Sequence, residues 1–507
     1  MAPNNADSRP SSPETGELEL TYDNAKARVL VIYTGGTIGM VPSDPTNPDS
    51  PLTPGDKEQL STFMPGLGVK ARIYWEIEGL RDVPPLDSSD VNSVHWLKMA
   101  EAIEEAYEKW DGFIILHGTD TMAYTTSGLS FLLSNLAKPV IVTGSQLPIS
   151  EERTDARLNF ANAINIAGYK ATGLPLVSEV VLCFGNRLLR GNRARKMSTS
   201  DLNGFDSPNC PWLGKLGEYI EINRELLRPP AEESFYLNRV LNTNVMDIGL
   251  FPGLTVEVLK TLMVENDNIK GFVMRTFGAG NAPGDPEFLR VLKQAISEKD
   301  KVIINVTHCP NGMVEMGLYA ASSSLLELGV ISGLDMTPEA ALAKMFWILG
   351  TERGQQIPIQ MQIDQRGEQS ESLFDLRYGP GGDQQNPTEI TSGGVQPSGK
   401  FRKETLNRAL LRISGLAFTD VAEGADFEIR VFVNLPSATP DTPVRDPHCA
   451  AIFKERYAGP GKTLIKDITS QIRRFTEVGR DISINVVSTN GHKFWYQGLF
   501  IGLFART

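Results

Sequence analysis

Two short apolar runs, each ending in glycine and threonine, constrain this chain more than any other feature. The first is Val29-Leu30-Val31-Ile32-Tyr33, followed by Thr34-Gly35-Gly36-Thr37-Ile38-Gly39. The second is Phe113-Ile114-Ile115-Leu116, followed by His117-Gly118-Thr119-Asp120-Thr121-Met122. A short uninterrupted apolar run reads as a strand buried on both faces, the habit of parallel sheets. The turn after such a strand lies at its carboxyl end, where open α/β sheets bind ligands. Glycine permits a sharp turn and close approach of a small ligand to the backbone. Threonine hydroxyls act as nucleophiles or hydrogen-bond partners. Taken alone, the first turn is equally a tight strand-to-helix connection. The second alone is equally a capped helix start with a packed His117. A dinucleotide cradle fits poorly, because Gly35-Gly36-Thr37-Ile38-Gly39 lacks the G-x-G-x-x-G spacing. Recurrence of the pattern is the strongest internal argument for one shared site.

With 507 residues the chain predicts two or more domains. Residues 1–24, rich in Pro, Ser, Asn and acids, read as a disordered tail. Residues 25–240 alternate strand and helix patterns and predict a larger α/β domain with a parallel sheet. Within it, residues 41–55 form a Pro-, Ser-, Thr- and Asp-rich loop beside the first turn, a candidate lid. Asp87-Ser88-Ser89-Asp90 precedes a helical pattern and reads either as a helix cap or as an anion clamp at the same place. Residues 139–142 predict a strand ending in Thr143-Gly144-Ser145-Gln146. Residues 151–167 predict a helix and residues 180–184 another strand. The basic stretch 187–196 reads as a solvated face from which one lysine near a carboxylate could relay a proton. Residues 241–367 repeat the alternation in a smaller α/β domain. Strands are expected at 272–276 and 302–306, and helices at 286–297 and 338–349. Residues 368–399 read as a linker. Residues 400–507 read as a separate, mostly β domain. There Phe427, Ile429, Val431 and Val433 alternate, as do Ile482, Ile484 and Val486. Asn490-Gly491 signals a hairpin, and Leu464, Ile468, Ile472 and Phe475 suggest one helical face.

Composition excludes several partners. Acidic residues outnumber basic ones 61 to 49, a net charge of -12. Nucleic acid and anionic membranes call for basic patches, so neither is expected as a partner. Four scattered cysteines and five histidines without ligand spacing predict neither a disulfide framework nor a metal site. Reduced thiols, no apolar run long enough for a bilayer, and no leading signal segment point to the cytoplasm.

With both glycine-threonine motifs in hand, the chain resembles the L-asparaginases of the bacterial type, and more closely their cytoplasmic type I branch. The match spans residues 25–367 and includes Asp87-Ser88-Ser89-Asp90, Thr143-Gly144-Ser145-Gln146, Arg190-Gly191-Asn192-Arg193 and Gly280-Asn281-Ala282-Pro283. The resemblance implies a two-domain α/β fold, a homodimer or homotetramer, and no cofactor. It implies hydrolysis of the L-asparagine side-chain amide to L-aspartate and ammonia, with L-glutamine a weaker substrate. Thr37 matches the nucleophile, and Thr119, Asp120 and Lys196 match the second catalytic group. Asp87, Ser88 and Ser89, with Thr119 and Asp120, match the substrate-binding positions. Many members carry a tyrosine just after the first motif. None lies between Tyr33 and Tyr74 here, and Tyr319 is the candidate replacement. Arg275 and Cys309 match an effector pocket of some type I members, where Arg195 replaces a small threonine. Two other readings use the same residues: an ammonia-supplying subunit of a tRNA-dependent amidotransferase, and a non-catalytic asparagine sensor. The residues after 400 lie outside the family.

Overall fold

The computed structural model describes residues 20–44, 46–47, 49–64, 66–316, 320–354, 356–378, 381–382, 406–475, 482, 484–489, 492–496 and 498–506. Its first part is built on an eight-stranded sheet. Five parallel strands run in the order Ile73–Gly79, Ala27–Tyr33, Gly112–Leu116, Val140–Thr143, Val180–Phe184. Three short antiparallel strands, Arg187–Arg190, Gly214–Leu216 and Ile220–Ile222, extend one edge. Both faces are covered. Leu30, Ile32, Phe113, Ile115, Val140 and Val142 pack into one apolar cluster, and Val29, Val31, Ile114, Leu116 and Ile141 into another. This double burial explains why the strands read as continuous apolar runs.

Register is what matters for the site. Tyr33 lies opposite Leu116, and Leu116 opposite Thr143. The three central strands therefore end level, and the turns beginning at Thr34, His117 and Gly144 emerge side by side.

A second, four-stranded parallel sheet, in the order Val245–Gly249, Gly271–Thr276, Val302–Thr307, Ile331–Ser332, forms the smaller α/β unit. The Pro286–Ser297 helix occurs with the bounds expected from sequence. Helix Pro338–Thr351, capped by the Thr337 hydroxyl on Ala340 N–H, joins the two units. Its Phe346 and Trp347 stack on Trp96 and Phe131 of the larger one, with ring centroids 6.1 and 5.7 Å apart.

The C-terminal part is β-rich, as expected. A six-stranded sheet carries Leu406–Phe418 and Gly498–Arg506 at its centre. A three-stranded antiparallel sheet, Cys449–Arg456, Asp426–Val433, Ile484–Ser488, faces it. Their apolar faces share one core, including Leu411, Ile413, Ile429, Val431 and Ile501.

Several expectations need correction. The stretch 368–399 is not wholly a linker: Glu371–Tyr378 is a strand paired along its length with Gly498–Arg506. Main-chain pairing, which composition does not report, supplies that strand. Residues 20–24 belong to the fold, since Tyr22 packs edge-on against both Tyr74 and Trp110. Leu464 shares no helix with Ile468 and Ile472. It lies in strand Lys462–Asp467, and helix Thr469–Phe475 begins where the Asp467 carboxylate accepts the Thr469 N–H. Asn490-Gly491 lies outside the described residues. No described helix is long and apolar enough to cross a membrane.

Candidate active site

The two glycines of the first turn do a different job from the one expected. Gly35 and Gly36 have φ of 109° and 86°, a region open chiefly to glycine. A Cβ on Gly35 would sit 2.2 Å from the Leu86 carbonyl oxygen, and one on Gly36 2.2 Å from the Gly118 nitrogen. The free space is filled by the protein's own backbone. The first turn is pressed onto the second, and both onto the segment before Ser88. Thr37 then opens a single 3₁₀ turn, Thr37–Gly39, at this junction. Its side chain is half-buried and has no hydrogen bond to a described residue. The Thr34 hydroxyl, by contrast, is spent on the Leu116 carbonyl at 2.9 Å.

Thr119, Asp120 and Lys196 come together. The Lys196 Nζ donates to Thr119 Oγ1 at 2.8 Å and to Asp120 Oδ1 at 2.7 Å. The lysine side chain is 18% exposed and the aspartate 64%, so the cluster opens to solvent on the Asp120 side. Ser88 is buried and joins them: its Oγ accepts the Asp120 N–H at 3.1 Å, and its carbonyl accepts the Thr121 hydroxyl at 2.6 Å. The Ser88 O–H remains available to donate. A Cβ on Gly118 would meet Ser88 Oγ at 2.6 Å, so Gly36, Gly118 and Ser88 pack as one unit.

Of the two readings of residues 87–90, the cap is seen at Asp87. Asp87 is a cap: its carboxylate accepts the Ser89 N–H and hydroxyl, which together hold its pKa below the ordinary carboxylate range. The long helix Ser93–Ala106 has its own cap, Asn92, paired reciprocally with His95. Ser88 is the residue packed against Gly118 and the Asp120 N–H.

The basic stretch is not a solvated face. Each of its last four cations has a carboxylate partner. Arg190 pairs with Glu179 at 2.6 Å, Arg193 with Asp335 at 2.6 Å, Arg195 with Glu339 at 3.4 Å, and Lys196 with Asp120 at 2.7 Å. Arg193 is 2% exposed and donates also to the carbonyls of Asn209 and Glu368. Asp335 and Glu339 belong to the smaller unit, so the segment leading to Lys196 is clamped across the boundary. Sequence reasoning missed both acids, because nothing local marks a partner more than 130 residues away. Arg275 is paired with Asp247 at 2.8 Å, and Cys309 is exposed. Tyr319 lies outside the described residues.

His117 is packed, as one reading held, and fully bonded. Its ring nitrogens lie 2.6 Å from the Gly118 carbonyl oxygen and 2.9 Å from Thr125 Oγ1. Burial pushes its pKa down to about 4, so the ring is neutral near pH 7.

Comparison with known proteins shows the family of the first two units. Residues 28–228 match the family model "Asparaginase, N-terminal", and residues 244–358 match "Glutaminase/Asparaginase C-terminal domain". L-asparaginase 1 of Escherichia coli K12 is 40% identical over 330 residues, 64% of this chain and 93% of that protein. A mouse protein named 60 kDa lysophospholipase is 37% identical over 346 residues, 64% of this chain and 58% of that one. The crystal structure of L-asparaginase I from Vibrio cholerae superposes with a TM-score of 0.61 at 38% identity, covering 68% of this chain and 99% of that one. The chain is thus a member of the asparaginase family of amidohydrolases, carrying a β-rich C-terminal part beyond the family's two domains.

Proposed function

We propose that this enzyme hydrolyses the side-chain amide of L-asparagine to L-aspartate and ammonia, with Thr37 as nucleophile. The observation that carries the reading is the meeting of Lys196 with Thr119 and Asp120 beside the turn that bears Thr37. A threonine hydroxyl attacks poorly until a base takes its proton. In the first half-reaction Thr37 Oγ1 bonds to the amide carbon, its proton passes to the amide nitrogen, and the C–N bond breaks to release ammonia. In the second, water adds to the resulting ester. Its proton is taken through Thr119 and Lys196, the ester bond breaks, and Thr37 and aspartate are restored.

Asp120 is suited to the substrate ammonium, being a largely exposed carboxylate at the mouth of the cluster. The Ser88 hydroxyl, held by the Asp120 N–H, is suited to the substrate carboxylate. Asp87 and Ser89 hold the turn that presents Ser88. Gripping the charged amino-acid end fixes the amide near the nucleophile without chemistry of its own. L-glutamine is expected to be a slower substrate. The cytoplasm as location, assembly as a homodimer or homotetramer, independence of nucleic acid, and support of Thr37 by Tyr319 belong to the same reading.

The experiment is ammonia release from L-asparagine by the full chain and by Thr37→Ala. The proposal expects equimolar aspartate and ammonia from the wild type and loss of nearly all turnover in the variant. Wild-type turnover in Thr37→Ala refutes the nucleophile. Asparagine binding without product favours a sensor, and ammonia formed only with a companion subunit and charged tRNA favours an amidotransferase.

A further inference from the structure

The bonds around His117 leave no choice of roles. Trp96 Nε1 lies 3.0 Å from Thr125 Oγ1, Thr125 Oγ1 lies 2.9 Å from His117 Nε2, and His117 Nδ1 lies 2.6 Å from the Gly118 carbonyl oxygen. An indole N–H can only donate, and a carbonyl oxygen can only accept. The Trp96 N–H therefore donates to the threonine oxygen, the threonine O–H to Nε2, and Nδ1–H to Gly118. All three side chains are buried, so each link lacks water as a substitute. This chain of donors ends on the peptide that precedes Thr119.

That peptide is trans, as is every peptide bond described. In a trans peptide the C=O and the following N–H point in opposite directions. The Gly118 carbonyl points into the core at the imidazole, so the Thr119 N–H points the other way, toward the cleft. The Thr119 N–H has no hydrogen bond to a described residue, although Thr119 is only 6% exposed. A buried N–H without an acceptor is costly, and its orientation offers it to a bound oxygen.

We propose that His117 is a positioning residue: fixed by Thr125 and Trp96, it holds the Gly118 carbonyl in the core and thereby presents the Thr119 N–H to the oxygen of the amide under attack. The proposal rests on the hydrolytic reading above. His117 transfers no proton in it. Both ring nitrogens are committed, and the ring keeps one tautomer throughout.

The test uses two pairs of full-length variants. Thr125→Val keeps the shape and removes the hydroxyl, and Thr125→Ser restores a donor. His117→Leu removes the bond to Gly118, and His117→Asn places an amide N–H near the position of Nδ1. Losing an oxyanion donor outright lowers kcat by about 10²–10³, so a misdirected one is expected to lower it about 10- to 100-fold in Thr125→Val and His117→Leu. The KM for L-asparagine and the binding of L-aspartate should stay within about two-fold, because neither reports the charge that develops only during attack. Thr125→Ser and His117→Asn should recover most of the loss. Unchanged kcat in a folded His117→Leu, or KM and aspartate affinity moving in step with kcat, overturns the proposal. The amide resonance of Thr119 in threonine-labelled protein gives a readout independent of turnover. It should shift in Thr125→Val and not in Thr125→Ser. An inactive wild type whose Thr119 resonance behaves in this way refutes the hydrolytic reading and leaves the positioning intact, and a resonance indifferent to both variants refutes the positioning.

Discussion

Replacing Asp335 with alanine should be among the most damaging changes available outside the candidate site. Arg193 and Asp335 meet through two bonds, Nη1 to Oδ1 at 3.2 Å and Nη2 to Oδ2 at 2.6 Å, with side chains 2% and 8% exposed. At about 3 Å and an effective dielectric of about 20, the attraction is roughly 5 kcal/mol, much of it offset by desolvation. Removing only the acid leaves a guanidinium buried with neutral carbonyls for company, which typically costs about 3–5 kcal/mol. Arg193 keeps the Asn209 and Glu368 carbonyls, so the lower end, about 3 kcal/mol, applies here. Urea unfolding of wild type and Asp335→Ala measures this directly. The double variant Arg193→Met/Asp335→Leu should recover most of the loss, because an apolar pair needs no desolvation. A pH series adds a sign test. Burial alone would raise the Asp335 pKa, but the Arg193 bonds and charge and the Ser370 bonds outweigh it and lower the pKa. A lowered folded pKa gives stability that is present above the ordinary carboxylate range and lost as pH falls through the folded value. The deficit of Asp335→Ala should therefore be full at pH 7 and shrink below about pH 4. A deficit under about 1 kcal/mol at pH 7, or one that grows on acidification, refutes the argument.

Other outcomes follow from the same structure. Gly36→Ala forces a Cβ to within 2.2 Å of the Gly118 nitrogen at φ 86°. It should destabilise by about 2 kcal/mol or more and abolish turnover, measured by thermal melting and ammonia release. Lys344 and Glu368 are fully buried partners at 2.6 Å, and burial together with the Glu368 charge pushes the neighbouring Asp364 up to about 7. Lys344→Met should cost about 3–5 kcal/mol in urea unfolding, and adding Glu368→Gln should return part of it. Lys196→Met should lower kcat by at least about 10²-fold, as expected for loss of a positioned proton-transfer group, with little change in melting temperature.

The fold was legible where periodicity reflects burial. The parallel strands are covered on both faces, so residues 113–116 read as a bare apolar run, and the α/β alternation followed. The level ends of three strands could be inferred only in kind, since register depends on pairing. The glycines of the first turn were legible as special but not in purpose. Sequence shows that Gly36 permits close approach, and only the structure shows that the Gly118 backbone is what approaches. Lys196 stood out because it matched a motif. Arg193 and His117 also lay in matched motifs, but their partners Asp335, Thr125 and Trp96 did not stand out, because those contacts depend on residues brought together by packing. Glu371–Tyr378 was hidden for the opposite reason: a strand held by its main-chain ladder leaves little trace in composition.

The most direct test of the central claim is to quench the wild-type enzyme in acid during turnover of L-asparagine and find which residue carries the acyl group by peptide mass. The account predicts an aspartyl ester on the peptide containing Thr37, absent from Thr37→Ala. An ester on Thr119 instead, or full turnover by Thr37→Ala, contradicts it.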